Sequence, residues 1–266
     1  MALSPAVRGY DHLLLDLDGC LWVGDRATER APEAVAALRE AGKRLLFLTN
    51  DPARSAEEFV RKLWRLGFQA SVDEIASVGA AVQHRLATRD SAGSAFVIGA
   101  QALVDHVAAA GSRIVNNTEF ATRADLVVVA SHAGFDYREL RIATQAVLRG
   151  AELIGVSRDP TFPMPDGPWP GSGAVLAAVE AATGTRAALL IGKPERPFYE
   201  AALERLGPGR VLGVGDRLDL DVAGARGAGL DAALVLTGSC TRAQAAVADP
   251  APTHVAESLA DLVLRG

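Results

Sequence analysis

Residues 13–19 place two carboxylates directly after a run of apolar side chains. The three leucines at 13–15 predict a strand buried on both faces, which is typical of a parallel sheet. Because residues two apart on a strand project to the same side, Asp16 and Asp18 can face one point, and Gly19 permits a sharp turn immediately afterwards. Open α/β sheets bind ligands beyond the carboxyl ends of their strands. The stretch therefore indicates either an active site or a strand-end turn in which the acids only hydrogen-bond the loop.

Three further apolar runs also end in polar residues. The runs and the residues that follow them are 45–48 with Thr49 and Asn50, 188–191 with Lys193, and 210–215 with Asp216, Asp219 and Asp221. One acid at a strand end is commonplace. Acids, a hydroxyl, an amide and a lysine at four predicted strand ends favour a single convergent site.

The charges of such a site narrow its chemistry. Asp16, Asp18 and Asp216, with Asp221 nearby, would surround one lysine, and two like charges about 4 Å apart cost roughly 4 kcal/mol even at an effective dielectric near 20. A cluster ionised at pH 7 therefore needs a cation, and an all-oxygen ligand set favours Mg²⁺ over zinc or copper. A Mg²⁺ ion that carboxylates hold with open coordination positions is suited to phosphate oxygens.

The other polar residues at these strand ends are donors for a phosphate group. The Thr49 hydroxyl, the Asn50 amide and the Lys193 ammonium can each donate to a phosphate oxygen. The motifs contain no serine, cysteine or histidine at the positions that would do chemistry, so the nucleophile must be a carboxylate or water. A carboxylate can attack phosphorus to give an aspartyl-phosphate that water later hydrolyses.

The elements that must position these residues follow a repeated pattern. An alanine-rich helical stretch, a glycine near its end and a short aliphatic run recur five times, with the glycines at Gly42, Gly111, Gly150, Gly207 and Gly229. Since glycine commonly follows the end of a helix, each copy predicts helix, stop and strand. This alternation predicts βαβ units and parallel sheets.

The segment after Asn50 predicts a well-marked helix. Ser55 and Glu58 fit a capping box, and Phe59, Leu63 and Leu66 form an apolar stripe at helical spacing.

The middle of the chain predicts an inserted α/β unit of its own. Its expected strands are 95–98, 113–115, 125–130 and 153–156. Its expected helices are centred near Val104, Ala143 and Leu176. Residues 158–173 contain five prolines and three glycines, and they predict a long irregular loop with a functional role.

Composition excludes several classes of function. The chain has 266 residues, 49% of them hydrophobic and 22% charged, with a net charge of −5 and no basic block. This balance argues against nucleic acid or an anionic membrane as the main partner. The two cysteines, Cys20 and Cys240, give no disulfide framework and no metal-ligand spacing. Residues 1–12 lack a signal-peptide pattern and no apolar run approaches the ~20 residues of a membrane span, so a cytoplasmic enzyme is expected.

Taken together, the motifs resemble those of the haloacid dehalogenase-like phosphatases. The likeness is strongest to the branch that contains the NagD-like, 4-nitrophenylphosphate and phosphoglycolate/pyridoxal phosphate phosphatases, and it covers nearly the whole chain. The motifs that carry it are Asp16-Leu17-Asp18-Gly19, Leu48-Thr49-Asn50, Gly192-Lys193-Pro194, Gly215-Asp216-Arg217-Leu218-Asp219-Leu220-Asp221, Pro170-Gly171-Ser172-Gly173 and Leu236-Thr237-Gly238.

The resemblance implies a fold and a domain organisation. It implies a doubly wound, Rossmann-like α/β core with a parallel sheet, formed by residues 1–88 and 180–266. It also implies a smaller α/β cap domain, formed by residues 89–179, that shields the reaction from solvent and selects the leaving group. Many relatives dimerise through the cap, so a homodimer is expected from kinship.

The resemblance also implies catalytic and metal-binding roles. Asp16 would be the nucleophile, and Asp18 would be the general acid/base that protonates the leaving alkoxide and then activates water. Asp16, the main-chain carbonyl of Asp18, and Asp216 would hold Mg²⁺.

A further set of roles concerns the phosphate group. Thr49, Asn50 and the amide of Asp51 would bind it, and Lys193 would neutralise it in the transition state. Asp221 would support Lys193 or a water on the metal.

Departures from the family pattern bear on the substrate. Asp51 replaces an asparagine, and Phe162 stands where the pyridoxal phosphate enzymes carry histidine. Arg158 is interpreted as a surface residue, Asp219 as a helix cap, and Trp169 as a candidate substrate contact. The expected substrate is a small phosphorylated metabolite, with a glycerol, glycolate or sugar phosphate ahead of a nucleotide.

Other functions remain open on the sequence. A phosphomutase or phosphotransferase would pass the phosphoryl group to a hydroxyl instead of water. A signalling receiver domain also combines acids, threonine and lysine, but receivers are about half this length and lack the second acid. A non-catalytic protein that only binds phosphorylated ligands would not require Asp18.

Overall fold

The computed structural model describes residues 2–91, 93–164 and 167–265. Its strands are β1 (His12–Asp16), β2 (Trp22–Val23), β3 (Arg26–Ala27), β4 (Arg44–Thr49), β5 (Ile75–Ser77), β6 (Ser94–Ile98), β7 (Arg113–Ile114), β8 (Leu126–Val129), β9 (Glu152–Gly155), β10 (Thr161–Met164), β11 (Gly167–Pro170), β12 (Leu189–Leu190), β13 (Val211–Gly215), β14 (Asp231–Val235) and β15 (His254–Ala256).

The helices alternate with the strands over most of the chain. They are α1 (Pro5–Arg8), α2 (Ala31–Glu40), α3 (Ala56–Arg65), α4 (Val78–Ala87), α5 (Gln101–Ala109), α6 (Tyr137–Leu148), α7 (Ser172–Thr183), α8 (Arg196–Leu206), α9 (Ala223–Gly227), α10 (Arg242–Ala246) and α11 (Leu259–Val263).

The described residues form two compact units. The first comprises the residues up to Thr49, Ala56–Ser77 and those from Lys193 onward, and the second comprises Asn50–Ser55 and Val78–Gly192. The second is an α/β unit inserted within the first. The boundaries expected from the resemblance, 1–88 with 180–266 and 89–179, stay a prediction.

The first unit is built on a six-stranded parallel sheet in the order β15-β14-β13-β1-β4-β5. β1 lies in its centre with all five residues buried, which explains the run of leucines, since a central parallel strand faces helices on both sides. From β1 the chain adds strands first on one side and later on the other, so the strand order reverses there. The carboxyl end of β1 is where this topology creates a ligand crevice.

The second unit contains a five-stranded parallel sheet in the order β12-β9-β8-β6-β7. Its core is formed by apolar residues of β6, β8 and β9 together with α6 and α7, including Phe96, Val127, Ile142 and Leu176. The fold class predicted from the sequence, α/β with parallel sheets, is confirmed. All five predicted helix-stop glycines have positive φ angles.

Two predictions about local structure are confirmed and two are wrong. The four strands predicted for the inserted unit are β6 to β9, and α3 begins at Ala56, directly after Ser55, with Phe59 and Leu63 buried. Trp64, on the other face of α3, is exposed.

The first error concerns residues 158–173, predicted as irregular. They include the antiparallel hairpin β10–β11, because both strands of a two-stranded sheet are edge strands, where proline is tolerated. The second concerns the apolar run before Lys193. It forms β12, an edge strand of the second sheet and not a strand beside β1. Aliphatic runs look alike whichever sheet they join, so sequence could not assign it.

Candidate active site

Four buried charged residues of the first unit converge at the carboxyl end of β1. Asp16 is the last residue of β1, Asp216 follows β13, Asp221 lies in a π-helical turn, Leu218–Val222, and Lys193 follows β12. Their exposed fractions are 8% for Asp16, 5% for Asp216, 7% for Asp221 and 4% for Lys193. Charged residues are almost never this buried unless they are paired.

Lys193 joins two of the carboxylates. Its Nζ donates to Oδ1 of Asp16 and, at 2.7 Å, to Oδ1 of Asp221. Burial acts to lower the pKa of Lys193, but the charges of Asp16 and Asp221 outweigh it and hold the pKa well above its usual value. The lysine is therefore a fixed ammonium across the neutral pH range.

The same surroundings act on Asp16. Burial raises the pKa of Asp16 well above its usual value; Lys193 opposes this shift, and Asp221 and Asp216 add to it. Positive charge placed beside Asp16 therefore favours its ionised form, as Lys193 already does.

Asp216 is fixed by a loop that follows β14. Its Oδ2 accepts from the main-chain N–H of Ser239 at 2.7 Å and from Oγ of Ser239 at 3.0 Å. Burial and the charge of Asp221 raise the pKa of Asp216, while the bonds from Ser239 oppose the shift. A Cβ atom at Gly19 would lie 2.5 Å from the carboxyl carbon of Asp216, so only glycine leaves room for this rotamer.

Asp221 is held by its own turn. Its Oδ2 accepts from the main-chain N–H of Arg217 at 3.1 Å. The hydroxyl of Tyr199, on α8, donates to the main-chain oxygens of Leu220 and Asp221 at 3.3 Å. The prediction that Asp221 supports Lys193 agrees with this geometry.

Asp219, interpreted from the sequence as a helix cap, instead pairs with the guanidinium of Arg217, with Oδ2 2.6 Å from Nη2. Its position inside the π-helical turn, and not before a helix, is the reason.

The donor set fits a hard divalent cation. Carboxylate oxygens of Asp16, Asp216 and Asp221 lie within 4.8 Å of one another, and Lys193 is the one cation bonded to them in the described residues. Three carboxylates and one ammonium leave a formal charge of −2, which a Mg²⁺ ion would offset, and the ligand atoms are all oxygens. Asp221 was expected beside this group, as a support for Lys193 or a water on the metal and not as a metal ligand; Lys193 donates to it and to Asp16, and Asp216 has no bond to Lys193 in the described residues.

Asp18 lies outside this buried group. Its carboxylate is exposed, and Oδ1 accepts from Nε1 of Trp22 at 2.7 Å. The turn is closed by the N–H of Gly19, which donates to the main-chain oxygen of Trp22 at 2.7 Å. Asp16 and Asp18 therefore have different surroundings, because Asp16 is buried and Asp18 is exposed. That the main-chain carbonyl of Asp18 binds the metal stays a prediction.

The three residues expected to bind phosphate divide between the units. Thr49 is the buried last residue of β4 in the first unit. Asn50 and Asp51 belong to the second, where Nδ2 of Asn50 donates to Oδ2 of Asp159 at 3.2 Å. The Asp51 carboxylate accepts from the N–H of Ala53 and from Arg54, each at 2.8 Å. Their phosphate-binding roles stay predictions.

Two family models match the chain. One, described as haloacid dehalogenase-like hydrolase, covers residues 13–113, and a second, described as HAD-hydrolase-like, covers residues 190–262. They span β1 with Asp16 and Asp18 and the segment with Lys193, Asp216 and Asp221.

Two named proteins are similar over nearly the full chain. Chronophin of Bos taurus is 36% identical over 283 residues, 98% of this chain and 95% of chronophin. The D-glycerol 3-phosphate phosphatase of Mycobacterium tuberculosis is 35% identical over 263 residues, 98% of this chain and 73% of that protein. The chain belongs to the haloacid dehalogenase-like hydrolases.

Solved structures agree with this membership. The glycerol phosphate phosphatase from Mycobacterium tuberculosis in complex with magnesium superposes with a TM-score of 0.90 at 34% identity, covering 98% of this chain and 79% of that chain. The p-nitrophenyl phosphatase from Archaeoglobus fulgidus gives a TM-score of 0.87 at 30% identity, covering 95% and 98%. Within the haloacid dehalogenase-like hydrolases the chain is a phosphatase of the NagD-like branch, as its motifs predict.

Two residues of the haloacid dehalogenase-like site were missed by the sequence reasoning. Ser239 donates twice to Asp216, and Tyr199 holds the turn that carries Asp221. The small polar residues that follow β14 were a usable signal for Ser239, because β14 lies in the same sheet as β1, β4 and β13. Nothing in the sequence around Tyr199 marks it.

The loop residues singled out in the second unit have structural partners. Arg158 pairs with Glu180 of α7, with Nη2 2.9 Å from Oε1, and Arg186 pairs with the same carboxylate at 2.8 Å. Phe162 and Trp169 face each other edge-to-face across the hairpin, with ring centroids 6.4 Å apart.

Cys20 lies fully buried near the acidic cluster. Burial raises the pKa of its thiol well above the usual value, and the charge of Asp16 adds to the shift. It is a small core residue.

Among the described residues no helix has the length and apolar character that crossing a membrane requires.

Proposed function

We propose that this haloacid dehalogenase-like phosphatase hydrolyses the phosphate monoester of a small metabolite with Mg²⁺ as cofactor, through an aspartyl-phosphate on Asp16. The observation that carries the proposal is the bond from Lys193 to Asp16, formed where Asp216 and Asp221 also converge. A buried ammonium against the attacking carboxylate is what a site for a charged phosphoryl group requires.

In the first half-reaction, a carboxylate oxygen of Asp16 attacks phosphorus, and the bond between phosphorus and the ester oxygen breaks. Asp18 gives its proton to the departing alkoxide. The bond from Trp22 to Oδ1 supports this role, because it fixes the carboxyl group and leaves Oδ2 for proton transfer.

In the second half-reaction, water attacks the phosphorus of the aspartyl-phosphate and loses a proton to Asp18. The bond between phosphorus and Asp16 breaks, which releases inorganic phosphate and restores both aspartates. The exposure of Asp18 supports this assignment, since its carboxylate must meet water.

Asp16, the main-chain carbonyl of Asp18, and Asp216 would hold the Mg²⁺ ion. When bound, Mg²⁺ supplies positive charge that offsets the carboxylates and the phosphoryl oxygens. Lys193 stabilises the negative charge of the phosphoryl oxygens, and Asp221 keeps its ammonium in place.

The Thr49 hydroxyl, the Asn50 amide and the main-chain N–H of Asp51 would donate to the remaining phosphate oxygens.

Glycerol, glycolate and sugar phosphates are the substrates we propose ahead of nucleotides. A relative at 35% identity is a D-glycerol 3-phosphate phosphatase, and Phe162 offers an apolar surface on the hairpin of the second unit. A phosphotransferase on the same scaffold is the alternative, and it differs only in the acceptor of the phosphoryl group.

The test is phosphate release from 4-nitrophenyl phosphate and from a panel of phosphorylated metabolites, with Mg²⁺ or with chelator. We expect Asp16→Asn to lose turnover and Asp18→Asn to slow both half-reactions. Asp105→Asn is the control, because Asp105 is exposed, bonds only to Gln101 among the described residues, and lies about fifty-five residues from Asn50, the nearest motif residue. Full activity of Asp16→Asn, or full activity under chelation, would contradict the mechanism. Recovery of phosphate on an added alcohol instead of in solution would favour the phosphotransferase.

A homodimer formed through the inserted unit, a cytoplasmic location and the lack of nucleic-acid or membrane partners stay proposals. Light scattering of the purified chain tests the first.

A further inference from the structure

The loop Thr237-Gly238-Ser239 follows β14 and contacts the residues at the end of β1. Ser239 supplies two donors to one oxygen of Asp216, its main-chain N–H at 2.7 Å and its Oγ at 3.0 Å. Both bonds reach Oδ2. Within the described ranges no hydrogen bond or ion pair involves Oδ1 of Asp216.

The two carboxylate oxygens of Asp216 therefore have different surroundings. Oδ2 accepts from one N–H and one O–H donor, so its lone pairs are committed to the protein. Oδ1 keeps its lone pairs in a group whose carboxylate oxygens lie within 4.8 Å of those of Asp16 and Asp221. A metal-binding carboxylate whose second oxygen is hydrogen-bonded is oriented before the metal arrives.

Glycines on both sides keep the carboxylate in this rotamer. A Cβ atom at Gly19 would lie 2.8 Å from Oδ1 of Asp216, and a Cβ atom at Gly238 would overlap Oδ2. The Oγ of Thr237 donates to the main-chain oxygen of Gly19 at 2.6 Å and so ties the loop to the end of β1. The loop and the β1 turn therefore close on Asp216 together.

We propose that Ser239 is a positioning residue: it holds Oδ2 of Asp216 so that Oδ1 is presented to the divalent cation. This inference rests on the proposed role of Asp216 as a Mg²⁺ ligand. The Ser239 hydroxyl is the second donor beside the main-chain N–H. Loss of the hydroxyl should therefore hold the Asp216 carboxylate less firmly without freeing it.

The experiment measures Mg²⁺ binding to the full chain by titration calorimetry, without substrate. We expect Ser239→Ala to weaken the affinity by about five- to tenfold, at or below the lower end of the roughly 10- to 100-fold effects of such partners, because the main-chain N–H remains. Ser239→Thr, which keeps a hydroxyl, should restore it, and Ser91→Ala, an exposed serine of the second unit, should bind as wild type. The thermal midpoint of each protein without metal is recorded alongside.

A wild-type Mg²⁺ affinity in Ser239→Ala overturns the proposal. The proposal also fails if Ser239→Thr loses as much Mg²⁺ affinity as Ser239→Ala while the thermal midpoint of Ser239→Thr stays at the wild-type value. In activity assays, the Mg²⁺ concentration for half-maximal rate should rise in Ser239→Ala while KM for 4-nitrophenyl phosphate at saturating Mg²⁺ stays unchanged.

The two proposals fail separately. If the wild type binds Mg²⁺, and Ser239→Ala binds it more weakly, but no phosphate monoester is hydrolysed, the proposed function fails and the role of Ser239 stands. If the wild type is a Mg²⁺-dependent phosphatase and Ser239→Ala binds Mg²⁺ equally well, only the role of Ser239 fails.

Discussion

Nζ of Lys193 lies 2.7 Å from Oδ1 of Asp221 and also donates to Asp16, so two carboxylates share one ammonium. Only Asp16 is proposed to react, which makes Asp221 the fixed anchor of the pair. The position of the positive charge at the nucleophile therefore depends on a residue of the π-helical turn.

Asp221→Asn should lower kcat/KM by about 10- to 100-fold, because Lys193 loses a charged acceptor whose hydrogen bond contributes roughly 1.5–3 kcal/mol. The matched control is Asp219→Asn in the same turn, an exposed residue paired only with Arg217 in the described structure, which should stay within about twofold of wild type. Steady-state kinetics on 4-nitrophenyl phosphate measures both. Equal losses in the two variants would mean that the turn, and not the bond to Lys193, sets the rate.

Mg²⁺ should stabilise the folded chain, because it offsets the net negative charge of Asp16, Asp216 and Asp221. At about a hundredfold excess over Kd the free energy of unfolding should rise by about 2.7 kcal/mol. Chemical denaturation with Mg²⁺ and with chelator gives the difference. Asp216→Asn should show a much smaller rise, and an equal rise in that variant would remove Asp216 from the metal site.

Glu180→Gln should destabilise the second unit at neutral pH. The bond from Arg158 lowers the pKa of Glu180 to about 2, against an ordinary value of 4.5, and burial acts the other way. Because the folded-state pKa lies below the unfolded one, the ionised group stabilises the fold above about pH 4.5, and this contribution is lost as the pH falls towards 2.

The shift sets a ceiling of about 3 kcal/mol on this contribution, at 1.36 kcal/mol per pKa unit. We expect about 1 to 2 kcal/mol, since the side chains of Arg158 and Arg186 are 44% and 80% exposed and solvent screens them. Urea denaturation at pH 7 and at pH 3 should show the difference between wild type and Glu180→Gln shrinking with acid. Glu200→Gln, which breaks an exposed pair with Arg196, should change the free energy of unfolding by less than about 0.5 kcal/mol.

Asp159→Ala should raise KM more than it lowers kcat. The Asp159 carboxylate can only accept a hydrogen bond, so it bonds the NH2 end of the Asn50 amide and fixes the orientation of that amide. Removing the Asp159 side chain removes this constraint. We expect KM for 4-nitrophenyl phosphate to rise by about 3- to 10-fold, in line with the loss of one hydrogen bond. Asp105→Ala, which removes an exposed acid paired with Gln101, should leave KM at the wild-type value. A fall in kcat alone would argue that Asn50 does not bind phosphate in the ground state.

The sequence predicted those features that local physics controls. Three leucines before two acids indicated a central parallel strand, and β1 is that strand. The glycines after helices marked the ends of five of them, because positive φ angles leave few alternatives. Asp16, Lys193 and Asp216 were singled out from their positions after aliphatic runs, and the structure brings them together.

What the sequence could not supply are contacts that depend on tertiary structure. The sheet that β12 joins is fixed by its partner β9, which lies more than thirty residues earlier. The hairpin β10–β11 is built from prolines and glycines whose local preferences favour a loop. The bonds of Ser239 to Asp216 and of Tyr199 to the π-helical turn depend on where two loops and a helix meet, so the residue types alone do not specify these partners.

The burial of Cys20 has a practical consequence for biophysical work. Its thiol has no solvent-exposed surface and a raised pKa, so it resists alkylation in the native protein. Cys240, the second cysteine, is partly exposed and adjoins Ser239 in the chain. A maleimide dye added to the unmodified protein should therefore attach at Cys240 alone. Because Cys240 adjoins the loop that hydrogen-bonds Asp216, the dye would report on that loop without any engineered cysteine.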